Sequence, residues 1–505
     1  MNEQNKRSNF TGSIGFVLAA AGSAVGLGNI WRFPYLAAKD GGGIFLLCYV
    51  ILALTFGFAL LTSEIAIGRK TQRSPLEAYG ALHKKFKWVG PIACIIPTLI
   101  LPYYSAIGGW ILKYLADFVT GNSAATVTDG YFGGFITSQW APIIWFVIFL
   151  AVTAFIVYKG VDKGIERFSK VLMPILLVLI LCISIFSLTL KHTDANGVTR
   201  TGLEGLLVYV VPNFEGMTFG KFINVLMDAM GQLFYSISVA MGIMITYGSY
   251  VKKDTNLVKS VNRIEFFDTL VAFLAGLMIV PAVYTFMGME GMAGGPSLMF
   301  TSLPKVFDAM GSIGPIIGAA FFVMVAFAAL TSSVSIMEAV VASIMDHAKM
   351  ERNKATVIVT IITLILGIVV CLGYNVFYFE ITLPNGSPAQ ILDVMDYISN
   401  YVLMPIVAIA TCVLVGWAVK PKTIIEEVTL GGLKFNREKL YVVMIKYITP
   451  ILLLFLLLQS LGLFKIAKPK SLHHRCKLFF FSAKCYNILQ KKLRGEGCVQ
   501  RCGFG

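Results

Sequence analysis

Ala21-Gly-Ser-Ala-Val-Gly-Leu-Gly-Asn-Ile-Trp-Arg-Phe-Pro34 lies inside the first apolar run of the chain. Gly22, Gly26 and Gly28 fall close together, and Asn29 and Arg32 follow. Glycine weakens a helix interior by about 1 kcal/mol relative to alanine, although small residues also mark helix packing faces. Packing does not account for Asn29 and Arg32, because polar side chains at membrane depth are costly and usually functional. The stretch therefore reads as an unwound segment whose free carbonyls line a cavity, the setting in which irregular backbone is tolerated inside a bilayer.

The rest of the chain supplies that bilayer setting. Of 505 residues, 57% are hydrophobic and 14% charged. Many apolar runs reach the roughly 20 residues a helix needs to cross a membrane. Eleven are expected: about 11–37, 42–68, 88–119, 141–158, 169–190, 218–250, 264–288, 312–345, 355–374, 392–419 and 441–464. The expected fold is thus an all-α polytopic membrane protein. The first run continues past Ala19–Ala21 to Ala37, too far for a cleaved signal.

Arg69, Lys70, Arg73, Lys84, Lys85 and Lys87 crowd the second loop, and segments 159–170, 252–263, 346–354 and 420–439 are also basic. Segment 121–140 has no Lys or Arg. Basic loops stay on the cytoplasmic side, which places the N-terminus in the cytoplasm; the membrane expected for the chain is the cell's inner (plasma) membrane. Much of the +15 net charge is this topology signal, so no nucleic-acid partner is expected. The nine cysteines show neither metal-ligand spacing nor a disulfide framework. From Lys465 onward many basic residues face one acid, Glu496. An external basic tail, a twelfth span and sequence unrelated to the fold all compete for 465–505, and the last is favoured.

The sixth run contains Gln232, Tyr235, Ser236, Ser238, Met241 and Gly242. It is interrupted by hydroxyls and small residues five spans after the first. Paired interrupted helices point to an inverted-repeat transporter site, while a Ser-x-Ser can also simply bond back to its own helix. The eighth run holds Thr331-Ser332-Ser333. Adjacent hydroxyls are often structural, yet a hard cation needs such oxygen ligands.

These residues resemble the neurotransmitter:sodium symporter family, in its bacterial amino-acid transporter branch. The resemblance rests on Gly22–Pro34, Glu64-Ile65-Ala66-Ile67-Gly68-Arg69, Tyr103-Tyr104 with Trp110, Thr331-Ser332-Ser333 and Asp393-Val394-Met395-Asp396. It implies a 5+5 inverted repeat with helices 1 and 6 unwound at mid-membrane. The repeats would be 11–190 and 218–420, flanked by a cytoplasmic segment 1–10, an extracellular loop 191–217, and a cytoplasmic loop with span 11 at 421–464.

Two sodium sites follow from the resemblance. The first would use Ala24, Asn29, Ser236, Asp268 and the substrate carboxylate. The second would use Gly22, Val25, Ala328, Thr331 and Ser332. Tyr104 would hold the substrate carboxylate, with Ala24, Gly26 and Ser236 beside it. Ile100, Ile107, Tyr235, Ser238, Met241, Ser332 and Ile336 would form the side-chain pocket. Arg32 and Asp396 would close the outer gate, and Arg7 and Asp346, with Tyr250 nearby, the inner one.

The chain departs from the family pattern at three points. Asp268 and Ala272 stand where chloride-dependent members have Asn and Ser, so a fixed carboxylate beside Tyr49, Gln232 and Ser236 would replace chloride. The alternative for Asp268 is a helix-end charge facing the cytoplasm. Gly26 stands where monoamine carriers have Asp, favouring an amino acid, hydrophobic or aromatic, over a monoamine. Phe10 replaces the usual inner-gate Trp. The expected function is sodium-coupled amino-acid import, with no enzymatic chemistry. A carrier of another small solute (a monoamine or compatible solute), or a receptor or channel on the same scaffold, is the alternative.

Overall fold

The structure is a computed structural model and describes residues 9–194, 197–291 and 298–463. Arg7 and the basic tail lie outside the described residues. Span 1 is the bent pair Ser13–Ala24 and Gly28–Lys39, and span 2 is Gly43–Thr71. Spans 3, 4 and 5 are Lys84–Val119, Ala141–Tyr158 and Val161–Leu188. Span 6 is Phe219–Ser236 followed, after a break, by Ile243–Ser249. Spans 7, 8 and 9 are Leu257–Gly291, Gly311–Ala348 and Arg352–Leu372, and spans 10 and 11 are Ile391–Ala418 and Glu438–Ser460.

Among the described residues, nine helices are long and apolar enough to cross a membrane, and the bent pair of span 1 makes ten. The one expected run left over, the sixth (218–250), does not meet that measure. Its first helix carries Lys221, Asn224, Asp228 and Gln232, which recur at helical spacing and give it one polar face. The helices that carry the expected runs 169–190 and 264–288 are longer at their N-terminal ends, starting at Val161 and Leu257.

The apolar windows of spans 4, 5 and 9 are 39% buried and that of span 11 is 33% buried, against 72% for spans 2 and 3. The former ring the molecule and offer Ile, Val and Phe to lipid; the latter pack the interior. Two glycine contacts hold span 2 against the second half of span 6. A Cβ on Gly68 would sit 2.0 Å from the Ile245 carbonyl oxygen, and one on Gly248 would sit 2.4 Å from that of Ile65. Only small residues let helix backbones approach so closely. Short antiparallel hairpins, Lys191–Thr193 with Thr199–Thr201 and Ile381–Thr382 with Pro388–Ala389, sit in the connections.

Candidate functional site

The α-helical pattern of span 1 ends at Ala24, where Val25 turns extended (φ −75°, ψ 91°), and resumes through a π-turn at Gly28–Arg32. The two halves meet at 53°. A helix end leaves its last carbonyls without an internal donor, so Gly22, Ala24 and Val25 have oxygens to offer. Span 6 breaks after Ser236, with Ser238 at φ 54°, Ala240 at φ 62° and Gly242 at φ 77°. Left-handed backbone at a serine and an alanine costs of order 1–3 kcal/mol each and persists only where surroundings enforce it. The enforcement is visible. The Ala240 N–H donates to Glu64 Oε1 at 2.6 Å, and Ser238 Oγ donates to the Ser23 carbonyl at 3.0 Å, joining one break to the other.

Between the two breaks is a cavity lined by Ser23, Ala24, Gly26, Leu27, Gly28, Asn29, Ile100, Tyr104, Tyr235, Ser236, Ser238, Met241, Ser332 and Ile336. Of the expected substrate-contacting residues, Ile107 alone is off this lining; it is buried in the core behind it. The Tyr104 hydroxyl accepts a long bond from the Leu27 N–H at 3.5 Å. Gly26 is crowded by two side-chain tips: a Cβ there would lie 2.9 Å from Ser332 Oγ and 3.2 Å from the Tyr104 hydroxyl.

On one side of the cavity Asp268 and Asn29 are fully buried. Asn29 Nδ2 donates to Asp268 Oδ1 at 2.9 Å, and Tyr49 donates to Asp268 Oδ2 at 3.1 Å. The Ser236 hydroxyl lies 2.6 Å from Asp268 Oδ1 and 2.9 Å from Asn29 Oδ1. It has one proton, so it satisfies one of them at a time. Gln232, expected beside Asp268, instead donates to the Gly28 carbonyl at 2.9 Å. The reading of Asp268 as an exposed helix-end charge is overturned: the aspartate sits in the interior, three helical turns into span 7.

On the other side, the Ser332 hydroxyl is 3.5, 3.1 and 3.4 Å from the carbonyl oxygens of Gly22, Ser23 and Val25. Thr331 Oγ1 is 3.0 Å from the Ala328 carbonyl and 3.1 Å from that of Phe327. In both clusters neutral or anionic oxygens outnumber the protons available to bridge them. Such a donor-poor knot of hard oxygens fits a small cation without a transition-metal ligand set.

The gates differ in how their residues meet. Arg32 makes no ion pair within 4 Å of Asp396, and sits in the field of Tyr401, Asp228 and Asp396. Asp396 is held instead by Tyr103 and Asn400, at 3.0 and 2.6 Å. Nearby, at the end of span 1, Lys39 bridges to Asp228 of span 6 at 2.7 Å. Burial, and then Asp228, push the adjacent Asp40 carboxyl up to about 7, with Lys39 opposing. On the inner side the Phe10 N–H donates to the Tyr250 carbonyl at 3.2 Å, and the Phe10 ring packs edge-on against Tyr247 at 5.7 Å. Asp346 accepts from the Ser74 N–H at 2.6 Å.

Three carboxylate and amide roles escaped sequence reading. Glu64 braces span 6, Asn400 holds Asp396, and Glu338 forms a buried centre below the cavity. Glu338 accepts from both guanidinium nitrogens of Arg352, at 2.7 and 2.8 Å, and from the Tyr250 hydroxyl at 2.6 Å. A lone Glu inside an apolar run was the available signal for the two glutamates.

The sodium:neurotransmitter symporter family model matches residues 7–129 and 137–478, extending past Lys465. An uncharacterized sodium-dependent transporter of Bacillus subtilis, YhdH, is 34% identical over 92% of this chain and 99% of its own length. One from Haemophilus influenzae is 30% identical over 91% and 100%. The rat sodium- and chloride-dependent GABA transporter 2 is 25% identical over 74% and 69%. The crystal structure of MhsT in complex with L-phenylalanine superposes with a TM-score of 0.78, at 35% identity, covering 90% of this chain and all of that one. With the broken helices and the oxygen-rich cavity in place, the conclusion is that this chain belongs to the sodium:neurotransmitter symporter family and is a multi-pass, sodium-dependent membrane transporter, not an enzyme.

Proposed function

We propose that the protein imports an amino acid with a hydrophobic or aromatic side chain, coupled to sodium, by alternating access and without chloride. The observation that carries this is the crowding at Gly26, where a Cβ would meet Ser332 Oγ at 2.9 Å. No acid stands in that wall to pair with a bare amine, so the counter-charges are those an amino acid brings itself. Its carboxylate completes the cluster of Ala24, Asn29, Ser236 and Asp268 around one sodium, within reach of Tyr104. Its side chain lies among Ile100, Tyr235, Met241 and Ile336. The related MhsT, crystallised with L-phenylalanine, supports the same class.

A second sodium sits among Gly22, Val25, Ala328, Thr331 and Ser332. Asp268 supplies the fixed negative charge that makes chloride dispensable. Coupling has a physical cause: the carboxylate needs the cation as counter-charge, and the cation needs the carboxylate as ligand, so each raises the other's affinity. Residues 11–190 and 218–420 act as the two repeats, the N-terminus faces the cytoplasm, and the membrane is the inner one. Outside entry closes at Arg32 and Asp396, inside exit at Phe10, Tyr250 and Asp346, with Arg7.

The test is uptake of a labelled amino-acid pool into proteoliposomes with and without an inward sodium gradient. Accumulation only with the gradient supports the reading. Uptake of a monoamine or compatible solute instead, or ligand binding indifferent to sodium, rejects it.

A further inference from the structure

Span 10 contains a π-turn over Tyr397–Leu403, and Asn400 lies within it. Such turns rotate the residues that follow around the helix and recur at functional sites. The Asn400 amide nitrogen donates to Asp396 Oδ1 at 2.6 Å and to the Tyr103 hydroxyl at 3.0 Å, and that hydroxyl donates to Asp396 Oδ1 at 3.0 Å. A carboxylate accepts only from donors, which fixes the amide with its nitrogen toward Asp396. The amide oxygen therefore points elsewhere, and it is buried without a hydrogen-bond partner. Leaving a buried acceptor unmade costs roughly 1–3 kcal/mol, so the vacancy needs a reason.

Arg32 is a donor of the matching kind. The Arg32 guanidinium lies in the field of Asp396 and of Tyr401, the residue next to Asn400. It carries five N–H groups in a planar fork and is beyond 4 Å from every carboxylate among the described residues. We propose that Asn400 is a positioning residue of the outer gate: with Tyr103 it orients Asp396, and its side-chain oxygen receives Arg32 when spans 1 and 10 close over a bound solute. One N–H of the fork goes to Asp396 and another to Asn400. The gate thus has three members, and Asn400, four residues on from Asp396, lies on the same face of the helix. This inference rests on the transport reading above.

The test is a double-mutant cycle on the full chain in proteoliposomes, using a labelled mixture of the proteinogenic L-amino acids under an inward sodium gradient. Asn400→Leu is expected to raise the apparent KM about tenfold with the maximal rate changed by less than about twofold, because the closed gate slows solute escape. Arg32→Lys keeps the charge but loses the fork. If Asn400 acts by receiving the second arm of the Arg32 fork, N400L raises the KM of R32K by a clearly smaller factor than it raises that of the native chain, since the fork is already gone. Losses that multiply in a working transporter overturn the gate assignment alone. No sodium-driven uptake by the unsubstituted protein overturns the transport reading, and the gate with it. Should N400L not yield monodisperse protein, N400S carries the same cycle, its hydroxyl ending one bond short of the amide oxygen.

Discussion

The backbone N–H of Ala240, at φ 62° in the break of span 6, donates to the buried carboxylate of Glu64 in span 2 at 2.6 Å. A glutamate in an apolar helix is thereby the brace for strained backbone in its neighbour. Glu64→Leu leaves that N–H buried and unpaired, a loss of about 1–3 kcal/mol. The expected outcome is a lower thermal midpoint together with weakened substrate binding. Glu64→Gln, which keeps an acceptor oxygen, recovers most of both. Equal damage from Q and L would show that the hydrogen bond is not the brace.

Ser332 supplies a hydroxyl where the carbonyls of span 1 converge, and Thr331 one beside the Ala328 carbonyl of span 8. With Thr331→Ala and Ser332→Ala together, two cation ligands disappear. Sodium-driven accumulation should fall by about tenfold or more, the scale of losing charge-assisted contacts of roughly 1.5–3 kcal/mol. Undiminished uptake at low sodium would remove the second site from the account.

Asp268 is buried among Asn29, Tyr49 and Ser236. Replacing chloride with gluconate should leave transport by the native chain unchanged. Asp268→Asn removes the fixed charge, and uptake should then either require chloride or cease. Strong loss in gluconate by the native chain contradicts the assignment.

Glu338 is fully buried, and both nitrogens of the Arg352 fork rest on it. Breaking one side of a buried pair costs about 3–5 kcal/mol, because the other charge is left uncompensated. Glu338→Gln should therefore lower the thermal midpoint sharply. Pairing it with Arg352→Leu, which removes the stranded charge, should restore much of the loss. A double variant as unstable as the sum of the two would show that the charges act independently.

The helical membrane class and the break in span 1 were readable because both are local. Apolar run length marks a span, and Gly22, Gly26 and Gly28 beside Asn29 mark a helix that cannot continue. The polar face of span 6 blurred its outline as a membrane helix, since Lys221, Asn224, Asp228 and Gln232 dilute its apolar character. Glu64 with Ala240, Glu338 with Arg352, and Asn400 with Asp396 were not readable as partners. The first pair is 176 residues apart, Glu338 and Arg352 lie on separate helices that only packing brings together, and the i, i+4 spacing of Asp396 and Asn400 does not by itself single out that pair. The expected contact of Arg32 with Asp396 required two helices to meet, and their separation is a matter of conformation, not of residue type.

The central claim is that the broken halves of spans 1 and 6 bind sodium and an amino acid as one unit. Equilibrium binding of labelled L-phenylalanine to the purified full chain, measured in a sodium series balanced with potassium, tests it most directly. The account predicts that affinity climbs steadily with sodium and that saturating L-phenylalanine raises sodium affinity by the same factor, as linkage demands. Equal affinity in sodium and in potassium would contradict it.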